Sequence, residues 1–170
     1  MRSPYPGNRV PFMYLEYFQM VDRVVALDSA AETIQCIARV PDTSTIFEGH
    51  FPGYPLMPGT LLVETVAQVG GFLLMSLGGY SRLPILTQIA KAKVRRAVSP
   101  GTELQVDAKV IQVSSGIAAV EGRLNADGKP IVTCEIRYHM MAFPQDNLRA
   151  MVLSRARDIG VPVPDGESAT

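Results

Sequence analysis

The sequence is poor in cysteine, and this scarcity excludes several kinds of protein. Only two cysteines, Cys36 and Cys134, occur in 170 residues, and they form no CxxC pair and no Cys/His cluster. A disulfide framework and a zinc-ribbon site are thereby excluded, and we expect no metal constellation of any kind. The two thiols are predicted to be free, buried and in a reducing compartment.

The chain also lacks an excess of either charge and an apolar N-terminal segment. Sixteen basic and sixteen acidic residues give a formal net charge of +0. A neutral chain gives no reason to expect nucleic acid as its main partner. Residues 1–20 contain no apolar run typical of a signal peptide, so we expect a cytoplasmic protein.

One apolar run, residues 61–77, comes close to the length of a membrane span. It contains Glu64, Gln68 and two adjacent glycines, and it barely reaches the minimum of roughly 17–20 apolar residues. A buried core helix is therefore predicted in preference to a membrane span. A chain of this length fits one domain with one hydrophobic core.

Alternation of apolar and polar residues predicts an antiparallel sheet around this helix. Strands are expected at 18–27, 33–40, 83–94 and 103–112, and two further strands flank a hairpin turn at Asp127-Gly128. The side chains predicted to face inward are Ile34, Cys36, Ala38, Val40, Leu104, Val106, Ala108, Val110, Ala118, Val120, Leu124, Val132, Cys134, Ile136, Tyr138 and Met140.

The helix is predicted from Pro58 to about Leu77, ending at Gly78-Gly79, and apolar residues surround its whole circumference. A helix without a polar face must be wrapped by other structure. The prediction is therefore an α+β hot-dog fold, an antiparallel sheet wrapped round one long central helix. This domain is expected to span residues 14–143. A C-terminal extension, 144–170, is expected to hold a short helix at 147–159 and a loose tail.

The chemically informative segment lies just before the helix. Three prolines and three glycines fall within residues 49–59, which makes a rigid and unusual loop. This loop presents His50 close to the helix start, and Glu64 is a single carboxylate inside the apolar helix. A buried carboxylate is costly unless it is paired or functional, so we predict that His50 and Glu64 are catalytic.

These residues resemble a known family. The run Gly49-His50-Phe51-Pro52-x-x-Pro55-Leu56-Met57-Pro58-Gly59, followed by Glu64 and Ala67-Gln68, is similar to the signature of the (3R)-hydroxyacyl-acyl-carrier-protein dehydratases of the FabA/FabZ hot-dog family. The similarity extends over roughly residues 15–143. It includes residues 89–96 and the turn Val98-Ser99-Pro100-Gly101.

The resemblance implies a reaction and a set of roles. Dehydration of a β-hydroxy thioester needs a base, a proton donor and stabilisation of the thioester oxygen. By similarity, His50 is the base, Glu64 protonates the departing hydroxyl and the Gly59 N–H binds the carbonyl oxygen. Gln68, one helical turn beyond Glu64, is expected to hold that carboxylate. An alternative role for Gln68 is a simple bond to a neighbouring backbone group.

The resemblance also implies partners. Acyl carrier protein is the expected one, docking on the basic residues Lys91, Lys93, Arg95 and Arg96, although a solvated strand edge explains these equally well. Phe51, Tyr54 and Thr60 are expected to contact the acyl chain, and His139 is expected on the surface. The family forms dimers or trimers of dimers, in which His and Glu of one site come from different subunits. No cofactor is expected.

Several substitutions bear on the subtype. Related dehydratase-isomerases carry Asp where Glu64 stands and Cys where Thr60 stands, so Glu64 favours plain dehydration. The (R)-specific enoyl-CoA hydratases place Asp at the position of Thr45, which argues against them. Val94, Ala97 and Thr102 depart from the usual family residues, which leaves open a specialised paralogue for long or unusual acyl chains. A hot-dog thioesterase and a non-catalytic carrier-binding subunit also remain open.

Overall fold

The computed structural model describes residues 15–164, with a short 3-10 turn at its start. Six strands and three helices follow along the chain. Their bounds are β1 Arg23–Asp28, β2 Thr33–Arg39, α1 Thr45–Gly49, α2 Gly59–Leu77, β3 Leu83–Val94, β4 Glu103–Ser114, β5 Ile117–Ala126, β6 Lys129–Met141 and α3 Asp146–Ile159.

The six strands form one antiparallel sheet in the order β1-β2-β4-β5-β6-β3. Its inner face packs on α2, and the residues predicted to face inward are buried except Met140, which is half-buried. Alternating strands bury every second side chain against the helix. The predicted α+β hot-dog architecture is therefore confirmed.

Tight turns at the predicted positions set the strand register. Asp127 and Gly128 both have positive φ, +50° and +69°, which is the backbone of a two-residue hairpin turn. Gly101, at φ +78°, occupies the left-handed position in the turn between β3 and β4. Both turns reverse the chain where the alternation of apolar residues stops.

Helix α2 is the centre of the core. Pro58 caps its start and Gly78 its end, as predicted. By length and composition alone it could cross a membrane, with a mean hydropathy of 1.6, but 61% of that apolar stretch is buried inside the protein. Within the described residues α2 is thus the core helix of the sheet, because the strands wrap round it.

Very close contacts join α2 to the sheet. A Cβ atom added at Gly122 of β5 would lie 2.1 Å from Val66 Cγ1 on α2. A Cβ atom at Gly70 would lie 2.7 Å from the Tyr138 hydroxyl, which donates a hydrogen bond to the Ala67 carbonyl at 2.8 Å. Glycine at these two positions therefore allows helix and sheet to approach closely.

Both cysteines are free and buried, as predicted. Burial raises the pKa of the Cys36 thiol to about 12, with the charge of Asp107 adding to the effect, and raises the pKa of Cys134 to about 11. A thiol with a raised pKa holds little thiolate at neutral pH, so neither cysteine is a reactive nucleophile.

One local prediction is wrong, and one short helix was not predicted. Residues 18–22 are not part of β1, which begins only at Arg23. Phe18 has a positive φ of +54°, and the Met20 N–H bonds to the side chain of Gln68 rather than to a strand. The loop 41–57 also contains the short helix α1, because Ser44 accepts a hydrogen bond from the Ile46 N–H and caps it.

The predicted C-terminal helix is present and begins one residue earlier, at Asp146. It buries Leu153, Ala156 and Ile159, and Gly160 ends it in the left-handed conformation at φ +85°. Val161 beyond it is also buried. The last residues of the predicted tail, 165–170, lie outside the described residues.

Candidate active site

The backbone around His50 is fixed by several hydrogen bonds. The His50 N–H donates to the Ile46 carbonyl at 3.0 Å, and the His50 carbonyl accepts from the Leu56 N–H at 2.9 Å. Phe51 and Tyr54 exchange two backbone hydrogen bonds, of 3.1 Å and 2.9 Å, which close the loop between them. The Met57 N–H then donates to the Val98 carbonyl at 2.8 Å. The Pro- and Gly-rich loop is thus a rigid support for one imidazole.

The tautomer of His50 follows from its side-chain partner. Nδ1 lies 3.0 Å from the Leu56 carbonyl oxygen. A carbonyl oxygen only accepts hydrogen bonds, so in the neutral imidazole Nδ1 carries the hydrogen and Nε2 has the free lone pair. The ring also stacks on Phe51, with centroids 4.3 Å apart. This arrangement orients Nε2 for accepting a proton.

His50 lies beside a pocket at the N-terminal end of α2. The pocket has a volume of about 340 Å³. The residues around it are His50, Leu56, Met57, Gly59, Leu62, Val94, Arg95, Arg96 and Ala97. An imidazole, an apolar wall and the positive end of a helix dipole therefore meet in one concave site, and Arg95 and Arg96 are among its lining residues.

Gly59, the first residue of α2, also lines this pocket. A Cβ atom there would lie 3.6 Å from Val94 Cγ2 on β3, an ordinary contact. The first N–H groups of a helix have no partner inside the helix. The Gly59 N–H therefore belongs to a helix end that can bind an oxygen carrying partial negative charge.

Glu64 is held by Gln68, as the spacing of one helical turn predicts. Gln68 Nε2 donates to Glu64 Oε1 at 3.0 Å and to the Phe18 carbonyl at 2.6 Å. Gln68 Oε1 accepts from the Met20 N–H at 3.1 Å. Gln68 thus bonds the carboxylate and neighbouring backbone groups at once, so both roles considered for it from the sequence are realised.

Glu64 does not line the pocket that contains His50. Leu62 does line that pocket, and Glu64 follows it by two residues, which is about 160° away around the helix axis at 100° per residue. The two predicted catalytic residues therefore lie on different sides of α2 within one chain. One chain does not place them around a common pocket.

Three residues expected to contact the acyl chain are absent from the pocket wall. Phe51, Tyr54 and Thr60 are exposed, with Tyr54 at 69%. The tight loop between Phe51 and Tyr54 turns these side chains outward, and Thr60 follows Gly59 on the outer side of α2. Leu56, Met57 and Leu62 form the apolar wall in their place.

The four basic residues divide into two pairs. Arg95 and Arg96 border the pocket, and Arg95 donates to Thr133 Oγ1 at 3.1 Å. Lys91 and Lys93 are exposed on β3. The Nζ atom of Lys91 lies 3.9 Å from Oε2 of Glu135. His139 is exposed, as predicted. Of these four basic residues, the two arginines are therefore the ones that line the pocket with His50.

Sequence reasoning missed the group that orients His50. This group is the backbone carbonyl of Leu56, which no side-chain pattern reports. The only sequence signal was the rigidity of the Pro- and Gly-rich loop. Among residues 15–164, no three His, Cys, Asp or Glu side chains gather into a cluster that could hold a metal ion.

Comparison with known proteins bears on this geometry. The family model described as the FabA-like domain matches residues 14–135. The chain belongs to the FabA-like family. The matched range contains the His50 loop, α2 and five of the six strands in full, and it ends inside β6, ahead of α3.

Curated relatives are similar to this chain over most of its length. The chain is 34% identical over 132 residues to the 3-hydroxyacyl-[acyl-carrier-protein] dehydratase FabZ of Syntrophotalea carbinolica, covering 76% of this chain and 85% of the relative. It is 36% identical over 131 residues to the enzyme of the same name from Petrotoga mobilis, covering 74% and 88%.

Solved structures support the fold alone. A conserved protein of Pseudomonas aeruginosa superposes with a TM-score of 0.57 at 19% identity, covering 80% of this chain and all of that one. A hypothetical thioesterase of Streptococcus pneumoniae with coenzyme A gives a TM-score of 0.57 at 10% identity, covering 72% and 88%. These values confirm the hot-dog architecture of the FabA-like chain.

Proposed function

We propose that this protein removes water from a 3-hydroxyacyl thioester on acyl carrier protein, producing a trans-2-enoyl thioester for fatty-acid or related acyl-chain synthesis. The observation that carries the proposal is His50, held by the Leu56 carbonyl with Nε2 free beside the α2 N-terminus. The curated relatives named for this reaction support it.

His50 is the base of the proposed reaction. Nε2 takes a proton from C2 of the substrate, while the Nδ1–H···O=C bond to Leu56 keeps the ring in the required tautomer. The electrons of the C2–H bond form the C2=C3 double bond, and the C3–O bond breaks. The thioester oxygen gains negative charge during this step, and the Gly59 N–H at the helix N-terminus stabilises it.

Glu64 is the acid. It gives its proton to the departing hydroxyl, which leaves as water, so one proton is taken from C2 and one is supplied at oxygen. Gln68 fixes the carboxyl group by its hydrogen bond at 3.0 Å. The nearby Tyr138 hydroxyl is buried, which raises its pKa, and the charges of Cys134 and Glu64 raise it further. Tyr138 therefore remains a neutral donor to the backbone beside the acid.

A second chain completes the proposed site. Glu64 lies on the side of α2 away from the His50 pocket, so His50 of one subunit is proposed to meet Glu64 of another. Within residues 15–164 one edge of β3 has no partner strand, and its side chains Leu86, Ile89 and Val94 are 39%, 46% and 44% exposed. A long apolar edge of this kind favours pairing with another chain. We propose a dimer, alone or within a trimer of dimers, and candidate acyl contacts from Phe51, Tyr54 and Thr60 at its interface.

The carrier protein is proposed to dock on the basic residues near the pocket. Arg95 and Arg96 border the pocket, and Lys91 and Lys93 extend the positive charge along β3. An acidic carrier would be attracted to this surface with a strong dependence on salt. We propose a cytoplasmic enzyme in which residues 14–143 form the catalytic domain and 144–170 a C-terminal extension.

The test is a turnover assay with 3-hydroxyacyl carriers of graded chain length, with products identified by mass. The proposal predicts an acyl carrier that has lost one water and keeps its thioester. Release of the free carrier thiol would identify a thioesterase, and binding without any product would identify a carrier-binding subunit. Either outcome contradicts the proposal.

A further inference from the structure

Helix α3 contacts the chain segment that bonds to Gln68, the side chain that in turn bonds to the proposed acid, Glu64. The Arg155 guanidinium donates a hydrogen bond to the Val21 carbonyl. Residues 18–21, here termed the support segment, are the same residues that bond to Gln68 through the Phe18 carbonyl and the Met20 N–H. A continuous series of contacts therefore joins α3 to the amide that bonds Glu64.

The support segment fixes which way the Gln68 amide faces. The Met20 N–H is a donor, so the amide oxygen of Gln68 must face it. The Phe18 carbonyl is an acceptor, so the amide nitrogen must face that group. Both requirements place the NH₂ group toward Glu64. A flipped amide would present its oxygen to the carboxyl group and lose all three hydrogen bonds.

Helix α3 is anchored firmly enough to hold this segment. Leu153, Ala156 and Ile159 are each no more than 2% exposed, so these three side chains hold the helix in the core. A second polar anchor lies toward the start of the helix, where Arg149 Nε donates to the Tyr80 carbonyl at 2.9 Å. Tyr80 follows the end of α2, so this second anchor does not lead to Glu64.

Helix α3 also lies outside the matched family domain, which ends at residue 135. The His50 loop and α2 lie inside that domain, whereas the contact from Arg155 is supplied by the extension. The extension thus adds a contact to the support segment, which bonds to Gln68.

We propose that Arg155 is a positioning residue for the dehydration: it holds the support segment, through which Gln68 orients Glu64. The inference rests on the proposed function. Arg155 touches no substrate in this proposal, and its effect on Glu64 passes through the support segment and Gln68.

The experiment compares R155Q with R149Q in the full-length protein. Both changes remove one positive charge and a donor that bonds from α3 to a backbone carbonyl, but only in R155Q does the lost bond reach the support segment. We expect R155Q to lower kcat about five- to tenfold with KM changed by less than about twofold. R149Q should retain the wild-type kcat, and R155K, which keeps a cationic donor, should recover part of the loss.

A double-mutant cycle separates positioning from a general loss of stability. In a Q68A background the contact to Glu64 is already gone, so R155Q should cause little further loss of kcat. Amide hydrogen exchange gives a readout that does not need activity. The Met20 N–H, which bonds to Gln68, should lose protection in R155Q and keep it in R149Q.

The outcomes are distinct. Equal kcat and equal Met20 protection in R155Q and the wild type would overturn the inference, as would fully additive losses in the R155Q/Q68A protein. A wild-type protein that dehydrates no 3-hydroxyacyl carrier would instead refute the proposed function and the catalytic part of this inference. The exchange measurement would still decide the structural part.

Discussion

The imidazole of His50 shows how a backbone group can decide the chemistry of a side chain. Its Nδ1 is occupied by the Leu56 carbonyl at 3.0 Å, and its own backbone carbonyl is occupied by the Leu56 N–H. The ring cannot rotate without breaking the first bond. Proton transfer is thereby confined to Nε2, which is the property that a dehydratase base needs.

The first prediction concerns the proposed acid. E64Q keeps the size and shape of the side chain, but an amide is not acidic enough to transfer a proton to the leaving hydroxyl. We therefore expect turnover to fall about a hundred- to ten-thousandfold. E121Q, on an exposed position of β5, is the control. Turnover is measured by mass detection of enoyl product, and folding by circular dichroism. A folded E64Q protein with wild-type turnover would refute the role of Glu64.

The second prediction concerns the space at Gly59. In G59A the new methyl group meets Val94 at 3.6 Å, so α2 should fold, but the gap between α2 and β3 at the pocket becomes narrower. We expect kcat/KM to fall about tenfold or more. The matched control is G71A, whose methyl group meets Pro84 at the same 3.6 Å, at the other end of the same helix and strand. Equal activity of the two variants would contradict this role.

Among single residues, composition indicated two candidate reactive groups but not the contacts around them. His50 and Glu64 stood out because a Pro- and Gly-rich loop and an apolar helix are unusual settings for them. Two sets of contacts could not be predicted: the hydrogen bond between the Leu56 carbonyl and His50, and the two hydrogen bonds that join Gln68 to particular backbone groups of the support segment. They depend on backbone positions that are set only when the loop and α2 have packed.

Among the helices and strands, α2 and β5 approach each other closely at Gly122. G122A would place a methyl group 2.1 Å from Val66 Cγ1 and 3.3 Å from the Asp107 carbonyl oxygen. We expect the free energy of unfolding to fall by about 1–3 kcal/mol, as in other overpacked cores. Chemical denaturation measures the loss.

A second substitution, V66A, tests whether the contact with Val66 causes the loss of stability in G122A. V66A removes the clashing methyl group, so G122A should cost clearly less in the V66A background than in the wild type. Simple additivity of the two losses would show that the clash with Val66 is not the reason.

The carboxyl group of Asp22, just before β1, predicts a pH dependence of stability. It accepts a hydrogen bond from β2 and lies near the charge of Arg155 on α3. Burial raises the pKa of Asp22 from 3.8 to about 6, against the lowering effects of the Arg39 N–H bond and of the Arg155, Arg23 and Arg39 charges. The folded protein therefore binds this proton more tightly than the unfolded chain. The resulting stability is complete below about pH 4 and is lost as the pH rises through about 6.

D22N tests this dependence. The amide still accepts from the Arg39 N–H, a bond of 2.5 Å in the wild type, but it carries no charge. We expect the Tm of D22N relative to the wild type to increase as the pH rises from about 4 to about 7. A difference in Tm that is constant over this range would contradict the raised pKa of Asp22.

Elements with a strong periodic pattern were predicted well, and those fixed by tertiary contacts were not. The bounds of α2 and β3 followed from an all-apolar helix between Pro58 and Gly78 and from turns at both ends of the strand. Residues 18–22 were predicted to be a strand because Phe18, Met20 and Val21 are apolar. Two of the hydrogen bonds of this segment go to Gln68, 48 residues away from Met20, and no local pattern contains that information.

At the scale of the whole molecule, one chain is an incomplete enzyme in this account. The pocket with His50 and the carboxyl group of Glu64 lie on different sides of α2, and β3 leaves an apolar edge uncovered within the described residues. Pairing of two chains would cover that edge and supply the missing acid to each pocket. The family resemblance predicted shared sites, but the sequence does not show against which side of α2 the loop with His50 packs.

The measurement that tests this account most directly is complementation between two inactive variants. H50Q and E64Q, carrying different affinity tags, are co-expressed, and mixed oligomers are purified through both tags in turn. In a mixed dimer one site combines both substitutions and the other has His50 and Glu64 intact. We predict that the mixed dimer regains about half of the wild-type dehydration rate, because one of its two sites is whole. A mixed oligomer that forms stably but stays as inactive as each parent would contradict the account.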